Sequence, residues 1–331
     1  MVLVTGATGL VGSHLILQLL MQGQKVKALY RNEAGKQKVT AVFNFYKKPE
    51  LLDLIIWCKA DILNIPDLEI AFQNIEYVYH CAALISFDPN DEEKLRKINI
   101  EGTANIINFC LDFNVRKLVY ISSIAALGDI LPHEKFVTET TEWNPEIAHS
   151  DYAISKYGAE IEVWRAQQEG LNVIVVNPGV ILGPLFWEEG SGEIYQKIKN
   201  RLRFYTKGFT GFVVLDDVVK ITIKLMESDI VNEKYILVSE NKSYQELLFV
   251  IADALQVKKP TILISKNITN IAWRADWFLN VFFGKQRKLS KQLATALHSE
   301  DFYTNKKVIE TLDYKFENIE DYLRKKLKIN P

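Results

Sequence analysis

Tyr152-Ala153-Ile154-Ser155-Lys156 opens an amphipathic stretch that runs to Gln168. Residues four apart share one face of a helix, which sets a phenol beside an ammonium. A free phenol titrates at about 10 and is a poor base at neutral pH. The ammonium, with the positive ring of an oxidised nicotinamide, favours the phenolate. In the opposite direction the phenol of Tyr152 gives its proton to a carbonyl oxygen while a reduced cofactor supplies hydride. Lys156 can also hydrogen-bond the ribose that carries the nicotinamide. Any helix with a packed tyrosine and an exposed lysine shows this spacing, so the pair gains weight only from its company.

That company is present. The strand-like run Leu118–Ile121 ends in Ser122-Ser123, at the carboxyl edge where open α/β sheets bind ligands. A hydroxyl there can hold and polarise a substrate oxygen. At the start of the chain, Gly6-Ala7-Thr8-Gly9-Leu10-Val11-Gly12 follows the first apolar run directly and opens the first helix. Glycines let the chain turn tightly and let a pyrophosphate approach the backbone, where free N–H groups and the helix dipole attract its charge. Gly6, Thr8, Gly9, Leu10, Val11 and Gly12 are therefore predicted to cradle a dinucleotide. The second run, Val26–Tyr30, ends at Arg31-Asn32, with no carboxylate before Glu33. An acid there would accept from the 2′-hydroxyl of NAD, whereas a guanidinium fork suits the 2′-phosphate of NADP. Arg31 thus favours NADP(H), with NAD(H) left open.

The elements that must position these groups alternate. Short apolar runs at Val2–Val4, Val26–Tyr30, Leu54–Trp57, Tyr77–Cys81, Leu118–Ile121 and Val173–Val176 read as strands buried on both faces. Between them lie helix-like segments near Leu10–Gln22, Asp67–Asn74, Glu92–Phe113 and Tyr152–Gln168. This alternation predicts an α/β fold, a doubly wound parallel sheet with helices on both faces. After Pro178 the rhythm changes. Gly183–Gly192 reads as a loop and Lys197–Lys207 as a basic amphipathic segment. Phe212–Leu215 and Tyr235–Val238 read as strands returning to the main sheet, and the chain from Lys242 onward as mainly helical. The predicted division is a dinucleotide-binding domain of residues 1–178 and about 209–240, and a smaller, mostly helical C-terminal substrate lobe of about 179–208 and 241–331.

The GxxGxxG spacing of Thr5-Gly6-Ala7-Thr8-Gly9-Leu10-Val11-Gly12, the serine pair and Tyr152/Lys156 together resemble the extended short-chain dehydrogenase/reductase superfamily. This is the NAD-dependent epimerase/dehydratase family, with its Rossmann sheet. Asn99-Ile100-Glu101-Gly102-Thr103, Asn177-Pro178-Gly179-Val180 and Phe212-Val213-Val214-Leu215-Asp216-Asp217 extend the match over roughly the first 240 residues. The resemblance implies further roles. The SSxxxxG pattern ending at Gly128 selects Ser123 over Ser122 as the catalytic serine. Asp61 and Ile62 would lie against the adenine, and the small side chains of Ala82 and Ala83 would leave the cofactor room. Pro178, Gly179 and Val180 would line the nicotinamide side, and Asn99 would support the active-site backbone. Ala83-Leu84-Ile85-Ser86-Phe87 looks like the apolar wall of the dihydroflavonol-reductase-like and sterol-dehydrogenase-like branch, making Ser86 and Phe87 candidate substrate contacts beside Ser123. Ile124-Ala125 stand where dehydratases carry an acidic pair, and Asn177 where nucleotide-sugar enzymes usually show arginine. The expected activity is hydride transfer between NADP(H) and a small-molecule carbonyl or alcohol. A nucleotide-sugar epimerase with tightly bound NAD and a non-catalytic dinucleotide sensor are the alternatives. The family also suggests a homodimer through the Glu92–Phe113 and Tyr152–Gln168 helices.

Composition narrows the rest. Lys and Arg number 40 against 41 Asp and Glu, a net charge of −1 that offers nucleic acid no general attraction. Cys58, Cys81 and Cys110 form no CxxC pair and sit in apolar runs, as buried thiols of a reducing compartment would. With no basic leader at the start, the expectation is a cytoplasmic protein without membrane insertion; the apolar stretch Ile271–Gly284 is interrupted by Arg274 and Asp276 and too short to span. His14, His80, His133, His149 and His298 lack metal-ligand spacing, so no metal is expected, and His80 reads as a satisfied core residue. The basic runs Lys285–Lys288 and Arg324–Lys326 read as solvated helix faces. The aromatic stretch of Trp273, Trp277, Phe278, Phe282 and Phe283 reads as small-lobe packing ahead of a substrate-pocket lining.

Overall fold

The computed structural model describes residues 1–131, 133–283 and 289–327. Its first half alternates as the apolar runs require: β1 (Val2–Thr5), α1 (Leu10–Met21), β2 (Val26–Tyr30), α2 (Glu33–Phe45), β3 (Ile56–Lys59), α3 (Ile65–Ala71), β4 (Tyr77–His80), α4 (Glu92–Leu95), α5 (Gly102–Asp112), β5 (Lys117–Ile121), α6 (Asp151–Gln168) and β6 (Val173–Pro178). Arg96–Glu101 joins α4 to α5 through a π-helical turn. The second half holds β7 (Val180–Leu182), α7 (Glu193–Lys199), β8 (Phe204–Tyr205), β9 (Phe209–Val214), α8 (Leu215–Glu227), β10 (Glu233–Leu237), β11 (Glu240–Ser243), α9 (Tyr244–Ala254), β12 (Ile262–Leu263), α10 (Lys266–Phe283), α11 (Lys291–Ala296), α12 (Lys306–Leu312) and α13 (Ile319–Leu327).

Seven strands form one sheet in the order β10-β6-β5-β4-β1-β2-β3, every neighbouring pair parallel. The strand order reverses between β1 and β4, which opens the crevice where such sheets bind ligands. Two apolar clusters cover its faces. Leu15, Ile16 and Leu19 of α1 join Val218 and Ile221 of α8 on one side; Ile106 and Cys110 of α5 join Ala159 and Val163 of α6 on the other. The Rossmann sheet expected from the sequence is present.

Four expectations change. The run Arg324–Lys326 is not a wholly solvated face, because Lys326 is buried and pairs with Asp216 at 2.9 Å. Residues 212–214 belong to β9, which pairs with β7 and β11 in a separate three-stranded sheet and not with the main one. The reason lies in its alternation: Phe212 and Val214 pack on Leu247, Ile251 and Tyr322 of the small lobe, while Val213 faces the large core. The third strand starts later than Leu54, because Pro49–Leu54 winds into a 3-10 helix, leaving Ile56–Lys59 to pair with β2. The aromatic stretch is not packed as expected: Trp277 and Phe278 are both exposed, and only Trp273 is half-buried. The side chains of Phe282 and Phe283 and the run Lys285–Lys288 lie outside the described residues.

Candidate functional site

The glycine loop is shaped by close backbone approaches. Gly6 has φ +61°, and a Cβ there would lie 2.6 Å from the Ala82 nitrogen. A Cβ on Gly12 would lie 2.2 Å from the Gly6 carbonyl oxygen. Only glycine allows both contacts. Thr5 Oγ1 accepts from the Ala82 N–H at 3.2 Å, so the end of β4 is tied to the end of β1, and Ala82 and Ala83 follow beside the loop. Gly9 begins α1 without a side-chain cap, and its first turn carries no acid. A helix N-terminus of this kind, half-open at Gly9, Leu10 and Val11, fits an anionic diphosphate. Thr8 packs beside Gly35, whose Cβ would lie 2.9 Å from its methyl carbon.

Arg31 is exposed at the end of β2 and forms no ion pair among the described residues. Asn32 caps α2 by accepting from the Gly35 N–H, while Glu33 engages Lys36 at 3.2 Å. Asp61 Oδ1 accepts from the Leu63 N–H, and Ile62 is buried. Pro178 and Gly179 are buried where β6 hands over to β7; a Cβ on Gly179 would lie 2.4 Å from the Gly211 carbonyl oxygen. Val180 is half-buried beside them.

At the carboxyl end of β5 the reactive groups converge. Ser150 accepts from the Ala153 N–H at 3.1 Å and starts α6 just before Tyr152. Ser123 reaches the phenol from β5; its hydrogen bond pulls the Tyr152 pKa down, but burial prevails and pushes it up to about 12. Ser123 Oγ also accepts from the Ala125 N–H at 3.1 Å. Lys156 is buried and turned to the strand: its Nζ donates to Tyr120 Oη at 2.7 Å and to the Ile121 carbonyl at 2.9 Å. Burial brings its pKa down to about 7, against the raising influence of Glu160 and Cys81. The expectation that the ammonium lowers the Tyr152 pKa is therefore not met in the protein alone. Lys156 spends two of its three donors on β5, and the Tyr152 proton stays on.

Asn99 holds the backbone after β4 at both ends, accepting from the Leu84 N–H at 2.7 Å and donating to the Leu84 carbonyl at 3.0 Å. It also donates to Ser155 Oγ. His80 is buried between Thr5 and Thr103, 2.6 and 3.0 Å away, and burial lowers its pKa to about 3. Phe87 sets its ring 5.8 Å from that of Tyr152, and Ser86 Oγ donates to Asp91. Ser290 and Gln292, from beyond α10, complete the narrow cleft with Ser86, Phe87 and Tyr152. A wider surface hollow, about 610 Å³, is lined by Phe136, Glu139 and Lys307 and holds none of these residues.

Sequence reasoning missed the group behind the site. Glu160 is buried one turn beyond Lys156; its carboxylate accepts from Ser122 Oγ and Asn177 Nδ2, each at 2.5 Å, and forms an ion pair with Lys234 Nζ at 2.6 Å. Asn177 Nδ2 also donates to the Ser123 carbonyl at 2.8 Å. The signal available was an acid at the next (i, i+4) step on the Tyr152–Lys156 face; its cation, 74 residues away on β10, had none. Tyr120 and the Ser290–Gln292 segment were likewise not singled out.

The model of the NAD dependent epimerase/dehydratase family matches residues 2–236. Sterol demethylase protein B of Methylococcus capsulatus is 29% identical over 266 residues, covering 79% of this chain and 76% of that protein. A putative dihydroflavonol 4-reductase of Synechocystis sp. is 30% identical over 253 residues, covering 74% of this chain and 69% of that protein. Among solved structures, the crystal structure of gox2253 superposes with a TM-score of 0.82 at 26% identity, covering 99% of this chain and 97% of the other.

Proposed function

The chain belongs to the NAD-dependent epimerase/dehydratase family, an NAD(P)-dependent enzyme of the extended short-chain dehydrogenase/reductase type, and from that premise we propose that it reduces a small-molecule carbonyl with NADPH. The observation that carries this reading is the convergence at the carboxyl end of β5, where Ser123 meets the half-buried phenol of Tyr152 and Lys156 of the same helix is buried against Tyr120 and the Ile121 carbonyl. A protonated phenol at neutral pH is a proton donor, as carbonyl reduction requires. The similarity to a putative dihydroflavonol 4-reductase supports the same reading.

The dinucleotide, when bound, supplies hydride to the carbonyl carbon. The chain's residues would do the rest. The backbone from Gly6 to Gly12 would hold the diphosphate, with Thr8 at the loop's outer edge. Asp61 and Ile62 would flank the adenine, Ala82 and Ala83 leave space along the dinucleotide, and Pro178 to Val180 border the nicotinamide. Ser123 would hold the substrate oxygen, Tyr152 give it a proton, and Lys156 keep a donor for the nicotinamide ribose and a charge to stabilise the phenolate left behind. Arg31, exposed and without an ionic partner among the described residues, supports the 2′-phosphate, since its neighbour Glu33 is engaged by Lys36. Ser86 and Phe87 would meet the substrate across the cleft from Ser290.

The proposed division is a dinucleotide-binding domain of residues 1–178 and about 209–240 and a substrate lobe of about 179–208 and 241–331; the packing of Phe212 and Val214 with Leu247, Ile251 and Tyr322 supports counting β9 with the smaller lobe instead. The exposed Ile161 on α6 supports a homodimer through α5 and α6. The free thiols Cys58, Cys81 and Cys110 support a cytoplasmic setting. Among the described residues no helix is long and apolar enough to cross a membrane.

The test is a fluorescence titration with NADPH and NADH, followed by turnover on a carbonyl panel and on UDP-sugars, in wild type and Tyr152→Phe. Carbonyl turnover with NADPH, lost in Tyr152→Phe while NADPH still binds, supports the reading. Turnover of a UDP-sugar with retained NAD would replace it with epimerisation. Tighter binding of NADH than of NADPH would remove the role given to Arg31.

A further inference from the structure

Behind the reactive groups runs a row of side chains that hydride transfer does not use. Thr5 at the end of β1, His80 at the end of β4, Thr103 in α5 and Tyr120 on β5 are each at most 1% exposed, as is Lys156. Thr5 Oγ1 lies 2.6 Å from His80 Nδ1, and His80 Nε2 lies 3.0 Å from Thr103 Oγ1. Thr103 in turn is hydrogen-bonded to the Tyr120 hydroxyl, which Lys156 Nζ meets at 2.7 Å. The far end is closed by the Ala82 N–H, which donates to Thr5 Oγ1 at 3.2 Å. Burial lowers the His80 pKa to about 3, so at neutral pH one ring nitrogen donates and the other accepts.

Thr5, His80, Thr103 and Tyr120 bring one hydrogen each, one more than the bonds that join them. The surplus hydrogen must leave the row at one end, and Lys156 decides which. A neutral Lys156 amine has a lone pair and accepts the Tyr120 hydrogen. Thr103 then donates to Tyr120, His80 Nε2–H to Thr103, and Thr5 to His80 Nδ1, so every hydrogen of the row is bonded. A Lys156 ammonium has no lone pair and needs the Tyr120 oxygen as its acceptor. Tyr120 then donates to Thr103, Thr103 to His80 Nε2, and His80 Nδ1–H to Thr5. The surplus falls on the Thr5 hydroxyl, which has no further acceptor among the described residues. We infer that His80 and Thr103 are positioning residues of a hydrogen-bond switch that ties the charge of Lys156 to the tautomer of His80, Nδ1–H with the ammonium and Nε2–H with the free amine. A buried hydrogen left unbonded is costly, so the row favours release of the Lys156 proton. Other groups face the same ammonium. Glu160 of its own helix, with Lys234 beyond it, and Cys81 after β4 favour the charge, and Tyr152 lies one turn before it. The row and Glu160 therefore pull in opposite directions, which leaves Lys156 poised between its two states.

The inference rests on the reading above only in that Lys156 is the working cation there. Its test reads a histidine ring and needs neither cofactor nor turnover, so the two can fail separately. The full chain, labelled with nitrogen-15 histidine, is followed by long-range proton–nitrogen NMR from about pH 5 to about pH 9, and His80→Gln identifies the signals. The His80 ring should stay neutral throughout and pass from Nδ1–H to Nε2–H near pH 7, where burial brings Lys156. Each tautomer should be in about tenfold excess or more at its own end of the range. Lys156→Met should leave the ring in one tautomer at every pH. Thr103→Val should uncouple the ring from pH, and Thr103→Ser, which keeps the hydroxyl, should restore the change; thermal unfolding shows that each variant is folded. Should Thr103→Val not fold, the wild type and Lys156→Met decide alone. Three results overturn the inference. One is a wild-type ring that holds one tautomer, or carries both protons, across the range. Another is a tautomer change that survives in Lys156→Met. The third is a change that survives in folded Thr103→Val.

Discussion

Replacing Glu160 by Gln removes one charge and almost no volume, and the structure separates its two consequences. The first is stability. The Glu160 carboxylate is the counter-charge of Lys234 at 2.6 Å. Breaking a buried pair by removing one partner costs about 3–5 kcal/mol. The Lys234 side chain keeps 19% exposure and can turn partly to water, so the lower end applies. The second consequence is chemical. Lys156 lies one helical turn away, on the order of 6 Å, where a unit charge at an effective dielectric of ~20 acts with about 3 kcal/mol, or about two pH units. Burial already brings that ammonium down to about 7, and Glu160 works against the fall. Without Glu160 it would be neutral across the physiological range. Reduction leaves a phenolate that needs the ammonium, so activity falls as pH rises through the Lys156 pKa. The alkaline limb of kcat should move down by about two units, and kcat at neutral pH should fall about 50-fold as the protonated fraction drops from half to about one in a hundred. The assay is steady-state NADPH oxidation across pH beside thermal unfolding. Glu160→Gln/Lys234→Met removes the orphaned cation; it should recover most of the lost stability and leave the limb displaced. A limb that does not move, or stability that the second substitution fails to recover, refutes the reasoning.

Three further outcomes are expected. Gly6→Ala must place a Cβ 2.6 Å from the Ala82 nitrogen at φ +61°; it should cost about 2 kcal/mol or more in a urea titration and abolish dinucleotide binding in a fluorescence titration. Tyr120→Phe keeps the stack on His80, 5.3 Å between centroids, but removes the acceptor held by Lys156 Nζ. It should cost about 1–2 kcal/mol and move the alkaline limb of kcat down, whereas an unchanged limb would show that Tyr120 only packs. Burial lowers the pKa of His80 to about 3 and of His14 to about 4, so the unfolded chain takes up protons first on acidification. Stability should fall as pH drops through about 6.5, by about 2 kcal/mol for each histidine near pH 5, and denaturant midpoints in His80→Gln should show roughly half that slope.

The candidate site residues could be named from the sequence because their signals are local. A glycine loop between an apolar run and a helix, two serines at a strand end, and a tyrosine and lysine four apart each need only a few adjacent residues. The alternation of runs also foretold the parallel sheet, and the carbonyl edge of that sheet is where Ser123 and Tyr152 meet. His80 and Asn99 sit as expected, one satisfied inside the core and the other bracing Leu84.

What stayed hidden depends on which distant surface an element meets. The pattern of β9 reads as a buried strand in either sheet, and packing of Phe212 and Val214 against α9 and α13 assigns it to the smaller one. Lys156 shares a face with Tyr152 by spacing, but its ammonium is drawn instead to Tyr120 and the Ile121 carbonyl, because a buried charge takes the acceptors that the strand offers. Glu160 and Lys234 find each other only when α6 crosses β10. In α10 the apolar stripe of Ile268, Ile271 and Ala275 alone predicts a face turned to a core. The bonds of Thr269 to His298 and of Asp276 to Leu289 rotate it the other way. Sequence fixes which side of a helix is greasy; which side faces the protein is settled by the polar partners that the rest of the chain brings to it.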